Sequence, residues 1–206
     1  MHKSLLSLRP LSPASPLQIY WQGEQPASRQ SASLQIQEKP SLSMVLVQGG
    51  FDSDSDPCSA LDGTAIALSD EPNSVIDVTA VASKPTCVWQ GPNEWLMLAN
   101  GPEAKLIADL QSAVPDSFTL APLSGSRCVI EIDGEAASRL LEKGCGLDFH
   151  PQSFTAGCCA QTLFAQLDVL IYKLGEGETA AYRLITSRGD AEYCWRWLMT
   201  ASAEFE

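Results

Sequence analysis

The stretch K-G-C-G-L-D-F-H-P-Q-S-F-T-A-G-C-C-A-Q-T, from Lys143 to Thr162, closes a helix, turns through a His-Pro loop and re-enters a strand. Upstream, Glu135 to Lys143 reads as a short helix with Glu135 and Arg139 paired four residues apart, and Gly144 stands where a left-handed residue would stop it. Before that helix, Cys128, Ile130 and Ile132 alternate with Glu131 and Asp133, the pattern of a half-buried strand. Downstream, Cys159 to Phe164, Leu167 to Leu174 and Ala181 to Thr186 read as strands, and Asp190 to Met199 as a closing helix.

Further out, Pro102 opens a helix carrying Leu106, Ile107, Leu110 and Val114 at helical spacing, which stops before Pro115. Thr86 to Gln90 and Glu94 to Ala99 form a hairpin around Gly91-Pro92-Asn93, Met44 to Val47 is a strand, and Ser59 to Leu68 a weak helix. Hairpins and short crossovers mixed in this way predict an α+β fold of antiparallel sheets with split βαβ, ferredoxin-like elements, rather than a doubly wound sheet. Residues 1–40, rich in Ser, Pro and Gln, read as an extended arm ahead of an α+β domain over 41–206. Within the arm, Leu17-Gln-Ile-Tyr-Trp21 is an apolar island that should dock on its own domain or on a partner, since each large apolar side chain left in water forgoes ~1.5–3 kcal/mol.

The 206 residues carry 13 Lys and Arg against 25 Asp and Glu, a net charge of -12, which makes nucleic acid and anionic membranes poor partners. Proline breaks up any signal-like run in residues 1–16, and no stretch approaches a membrane span. Seven cysteines with no C-x-x-C read as reduced, mostly buried thiols of a cytoplasmic protein.

The chemical motifs fail on stated positions. Gly175-Glu-Gly-Glu-Thr-Ala180 has dinucleotide-loop spacing, but a strand follows it instead of a helix, and its two glutamates would repel a pyrophosphate; it reads as a hairpin turn. Asp52-Ser-Asp-Ser-Asp56 opens like a calcium loop, yet Pro57 and Gly63 occupy the positions that need Gly and Glu. His150 has only His2 as a fellow histidine and no evident third member to orient a Cys145, Cys158 or Ser153 nucleophile. His150 and Pro151 therefore read as a structural or interface loop, with Phe149 or Phe154 buried beneath it. In the closing helix Ala191, Cys194, Trp195 and Leu198 make a core stripe, while Tyr193 and Trp197 make a second stripe that either packs in the core, buries under the arm or meets another chain; Trp21 in the arm is likewise an interface candidate.

With these residues in order, the chain resembles the gamma subunit family of heterotetrameric sarcosine oxidase over about 15–198. The resemblance rests on S-P-L (Ser15 to Leu17), L-Q-I-Q-E-K-P-S-L-S-M-V-L-V (Leu34 to Val47), W-Q-G-P-N-E-W-L-M-L (Trp89 to Leu98) and the Lys143 to Phe154 block running into Gly157 to Thr162. It implies a fold like the folate-binding domain of glycine-cleavage aminomethyltransferases. It also implies a cytoplasmic complex with alpha, beta and delta subunits that oxidises sarcosine with oxygen and tetrahydrofolate to glycine, methylene-tetrahydrofolate and hydrogen peroxide. FAD, FMN and NAD would lie on the alpha and beta chains, tetrahydrofolate on alpha and zinc on delta. This chain would carry no cofactor and no catalytic residue. The alternative is a free-standing folate-binding protein of the same fold, whose relatives follow K-G-C with an aromatic residue, any residue, then G-Q-E; Gly146-Leu-Asp148 stands there instead.

Overall fold

Strands that are apolar on both faces must be covered twice, and this demand sets the architecture. A computed structural model describes residues 14–49, 68–175 and 181–205. In chain order the elements are β1 (Ser28–Gln30), β2 (Gln35–Glu38), β3 (Leu42–Gln48), β4 (Val75–Asp77), β5 (Thr86–Gly91), β6 (Glu94–Asn100) and α1 (Glu103–Gln111). They continue with β7 (Thr119–Pro122), β8 (Arg127–Asp133), α2 (Ala137–Glu142), β9 (Cys159–Phe164), β10 (Leu167–Leu174), β11 (Ala181–Ser187) and α3 (Ala191–Ala201). One sheet has the order β1-β2-β8-β11-β10-β9 and the other β4-β5-β6-β3-β7.

Every neighbouring pair is antiparallel. Because β6 and β7 both run against β3, they are parallel to one another, with α1 as crossover and β3 between them: the expected split βαβ unit. The sheets pack face to face, Met44, Val88, Leu96 and Leu98 against Val129, Leu170, Tyr172 and Ile185. On the outer face of the five-stranded sheet, Leu106 and Leu110 of α1 meet Val45, Val47 and Met97. On the outer face of the six-stranded sheet lie α2 and α3, through Leu140, Leu141, Cys194, Trp195 and Leu198. The result is four layers, helix, sheet, sheet, helices.

Several expectations need correction. The strand at Cys128 is covered on both faces, because Val129, between the alternating residues, is buried by the second sheet at 2% exposure. Residues read as an arm contribute β1 and β2, and β2 pairs with β8 in the middle of the domain. Pro102 caps α1 rather than opening it, with an extended ψ of 133°. The second short helix is only Ala137–Glu142, so Glu135 precedes it, and Arg139 lies 5.0 Å over the Phe205 ring rather than pairing with Glu135. The weak helix at Ser59 to Leu68 and the Asp52 to Asp56 tract fall outside the described residues, apart from Leu68.

Gly144 is also not left-handed, since the positive-φ glycines are Gly23, Gly101, Gly134, Gly157 and Gly175. Its requirement is space: a Cβ there would come 2.8 Å from both a Phe164 and a Trp197 ring carbon. Those rings pack edge to face at 4.8 Å, so neither can give way without losing the other. Gly144→Ala is therefore expected to destabilise the chain by about 1–3 kcal/mol, the usual range for overpacking. Urea unfolding measures it, and an unchanged midpoint would show that the rings move aside freely.

Candidate functional site

The loop after α2 is built on three aromatic rings. Phe149 and Phe154 are buried, 5.4 Å apart, and Tyr182 of β11 lies 5.6 and 6.2 Å from them. With both loop phenylalanines pinned, the intervening residues are forced outward, and His150, Pro151, Gln152 and Ser153 are all exposed. Asp148 closes the turn: one carboxylate oxygen accepts the His150 N–H at 2.9 Å and the other the Ser153 hydroxyl at 2.6 Å. The Ser153 hydroxyl and then the His150 N–H hold the Asp148 carboxyl below its usual range. At the end of the loop, buried Lys173 donates to the Phe154 carbonyl at 3.2 Å.

This arrangement is poor in chemistry. His150 Nδ1 accepts the Gln152 N–H at 3.3 Å, and Ser153 spends its proton on Asp148. Cys145 Sγ faces Thr162 at 3.6 Å and Cys158 Sγ faces Thr155 at 3.2 Å, so among the described residues no hydrogen bond joins the His150 imidazole to a nucleophilic side chain. Burial pushes the Cys87, Cys159 and Cys194 thiols up to about 12 and raises Cys128 as well, which keeps them protonated. Among the described residues no three His, Cys, Asp or Glu side chains gather as metal ligands. Gly175 leads from β10, and the next described strand pairs antiparallel with it, Leu174 opposite Ala181; the rest of the glycine-rich loop lies outside the described residues.

The two stripes of α3 have different fates. Ala191, Cys194, Trp195 and Leu198 are buried, as their spacing requires. Trp197 is half-buried against Phe164, whereas Tyr193 is 51% exposed. Beside it, Tyr20 stacks at 6.3 Å on Trp195 and accepts from Arg196 Nε at 2.8 Å, so the apolar island of the N-terminal segment docks on α3. Leu17 is fully buried, and Trp21 is half-buried, donating its indole N–H to Glu38 at 2.7 Å; Ile19 remains 72% exposed.

Sequence reasoning missed Glu38. It is 2% exposed and receives Ser15 and Trp21, anchoring the N-terminal segment. Leu34, Ile36 and Glu38 alternate toward the same core, so the carboxylate stands at an inward position, and that periodicity could have found it. The polar chain Lys39–Glu131–Arg183–Tyr172, with contacts of 2.9, 3.1 and 2.9 Å, crosses β8, β11 and β10 and was equally invisible, since it needs the strand order. A cleft of about 490 Å³ opens where the sheets diverge, beside Leu46, Leu96, Leu163 and Ile185, and the Gln161 amide donates across it to the Gln90 carbonyl.

Comparison with known proteins follows the same outline. The model of the sarcosine oxidase gamma subunit family matches residues 52–204. The sarcosine oxidase subunit gamma of Corynebacterium sp. (strain P-1) is 34% identical over 133 residues, covering 63% of this chain and 63% of that protein. That of Corynebacterium sp. (strain U-96) is 31% identical over 135 residues, covering 65% and 64%. The aligned part thus spans a little under two thirds of those relatives' length. A chain of the heterotetrameric sarcosine oxidase from Corynebacterium sp. U-96, solved in complex with pyrrole 2-carboxylate, has TM-score 0.75 and 26% identity, with 93% of this chain and 95% of that chain covered. The glycine cleavage system aminomethyltransferase T of Bartonella henselae has TM-score 0.59 at 12% identity, over 79% of this chain and 44% of that one, a likeness of fold.

The loop makes a pH prediction. A carboxyl whose pKa is depressed on folding stabilises the fold above its unfolded value, and loses that contribution as pH falls through the folded value. Asp148 is expected to titrate below its ordinary 3.8 by carbon-detected NMR, and Ser153→Ala to bring it back up. A midpoint at or above 3.8 in the unaltered chain would contradict the hydrogen-bonded turn.

Proposed function

Because this chain belongs to the sarcosine oxidase gamma subunit family, we propose that it is the gamma subunit of a heterotetrameric sarcosine oxidase and acts in it as a structural, non-catalytic component. The observation that supports this most is the correspondence of fold over 93% of this chain and 95% of a chain in a solved heterotetrameric sarcosine oxidase. On this reading its partners are alpha, beta and delta subunits, and the assembly oxidises sarcosine with oxygen, yielding glycine and hydrogen peroxide while the methyl carbon passes to tetrahydrofolate. FAD, FMN and NAD belong to alpha and beta, tetrahydrofolate to alpha and zinc to delta. Flavin chemistry needs a held isoalloxazine and residues that tune it. The described residues of this chain offer no such set: all their thiols but Cys158 are buried, Cys158 faces Thr155, and the His150 ring meets only the Gln152 N–H.

The chain would contribute shape. On this reading Tyr193 and the exposed His150-Pro151 turn contribute to docking, together with the half-buried Trp197 and Trp21. Both are fixed by contacts within the chain, which lowers the entropy lost on docking. No helix among the described residues is long and apolar enough to cross a membrane, and the reading assigns the complex to the cytoplasm.

Tagged protein purified from its native host is expected to bring three further subunits, with flavin, and to show sarcosine-dependent peroxide formation only when they are present. A chain that purifies alone and binds tetrahydrofolate would support the free-standing alternative instead. Tyr193→Ser should weaken assembly, since an exposed interface aromatic can carry ~2 kcal/mol or more, while the free chain keeps its circular dichroism spectrum. His150→Ala should lower the yield of complex and leave turnover per assembled complex nearly unchanged; a loss of several orders of magnitude there would make His150 catalytic.

A further inference from the structure

Basic residues are scarce in this chain, 13 among 206, yet Lys39, Arg127 and Arg188 line one cavity of about 270 Å³. The cavity lies between the N-terminal segment at 14–16 and the strands beneath it. Arg127 pairs in register with Ser187, and the Arg188 N–H donates to the Ser126 carbonyl, so the two arginines come from adjacent strand ends, with strands about 4.8 Å apart. Register sets their side chains off on opposite faces of the sheet, and both reach the cavity at the end of it.

Their donors are largely unspent. Among the described residues the Arg127 side chain makes no hydrogen bond or ion pair, and it borders the larger cleft between the sheets as well. Arg188 gives one guanidinium nitrogen to the Ala14 carbonyl, leaving the rest of its five donors. Lys39 is already paired with Glu131 and adds field more than contact. The one acid in the lining, Glu38, has its oxygens covered by the Ser15 hydroxyl and the Trp21 indole N–H. Apart from Ser124, bonded to the Met44 backbone, the walls opposite are largely apolar, among them the Trp21 indole, Leu42 and Met44.

We propose that this cavity is a binding site for a small organic anion, a carboxylate or phosphate group carried on a flat apolar body. The arginines would hold the oxyanion, as a planar guanidinium fork does bidentately, and the ring would lie along Trp21 and Met44. The volume of about 270 Å³, just under the usual range of ligand sites, restricts the body to about one ring. Every residue the site uses lies within this chain.

Calorimetric titration of the purified full chain, at fixed pH and ionic strength, with benzoate and with phenyl phosphate tests the proposal and distinguishes the two anions. At least one is expected to bind saturably. Arg127→Gln and Arg188→Gln should each weaken it at least about tenfold, the scale of a lost charge-assisted hydrogen bond. Arg127→Gln is the cleaner variant, because Arg127 supports no other described contact, and an unchanged melting temperature without ligand would confirm that it folds. Absence of saturable binding by both anions, equal binding of neutral benzamide, or affinity that survives both substitutions would overturn the proposal.

Discussion

The molecule depends on one contact surface, the inner faces of its two sheets. Met44, Leu96 and Leu98 on one side and Val129, Leu170 and Ile185 on the other are nearly inaccessible, and they are the reverse faces of strands whose opposite residues already bury helices. A strand with two dry faces holds few polar residues: Glu38 and Lys173 are buried with hydrogen bonds, the Thr186 hydroxyl without one among the described residues, and two polar ties lie toward the sheet ends. There the Lys39–Glu131–Arg183–Tyr172 chain occupies one end and the Gln90–Gln161 tie another. The described chain starts in the six-stranded sheet, leaves to build the whole of the other, and returns, so the six-stranded sheet closes only across the segment that forms the other.

How much of this was legible follows from how local each signal is. The hairpin at Thr86 to Asn100 and the strands from Cys159 to Ser187 announce themselves through turn residues and periodicity, and the structure matches them within a residue or two at most ends. The core stripe of α3 was equally local. Nothing local told that β2 would lie beside β8, because Gln35 to Glu38 shows only short alternation in a Ser-rich stretch, and its partner is some ninety residues away. Val129 sat in plain view as an apolar residue on the apparently exposed face of its strand, and only a second sheet makes sense of it. Gly144 was read for its backbone when its role is the missing side chain, a distinction that requires knowing that Phe164 and Trp197 meet above it. The Asp148 turn is an intermediate case: Asp, His, Pro and Ser at that spacing favour a side-chain-closed turn, but the aromatic floor is supplied partly by Tyr182.

The same geometry explains why a reactive-looking inventory gives so little chemistry. Cysteines on inward positions become packing atoms, and their thiols are held protonated by burial. The lone histidine of the domain is pushed outward by the phenylalanine ahead of it, and the Asp148 carboxylate and Ser153 hydroxyl beside it bond each other and the backbone instead of its ring. The unspent polarity lies where the N-terminal segment crosses the sandwich, and it is basic in an otherwise acidic protein.

The β9–β10 connection has a bearing on how the domain assembles. Phe164 faces Leu167, so the loop is just Ala165-Gln166, and both residues have positive φ, 49° and 71°. A two-residue turn of this hand favours Asn-Gly, and L side chains forced into it cost about 1–2 kcal/mol each. The Ala165 N–H is held by the Gly144 carbonyl at 2.8 Å, at the exit of α2. A hairpin with a self-sufficient turn could close early and wait for its surroundings. This one is completed by a residue twenty-one positions upstream, which ties its closure to the arrival of α2 and makes a nominally local element part of the cooperative unit.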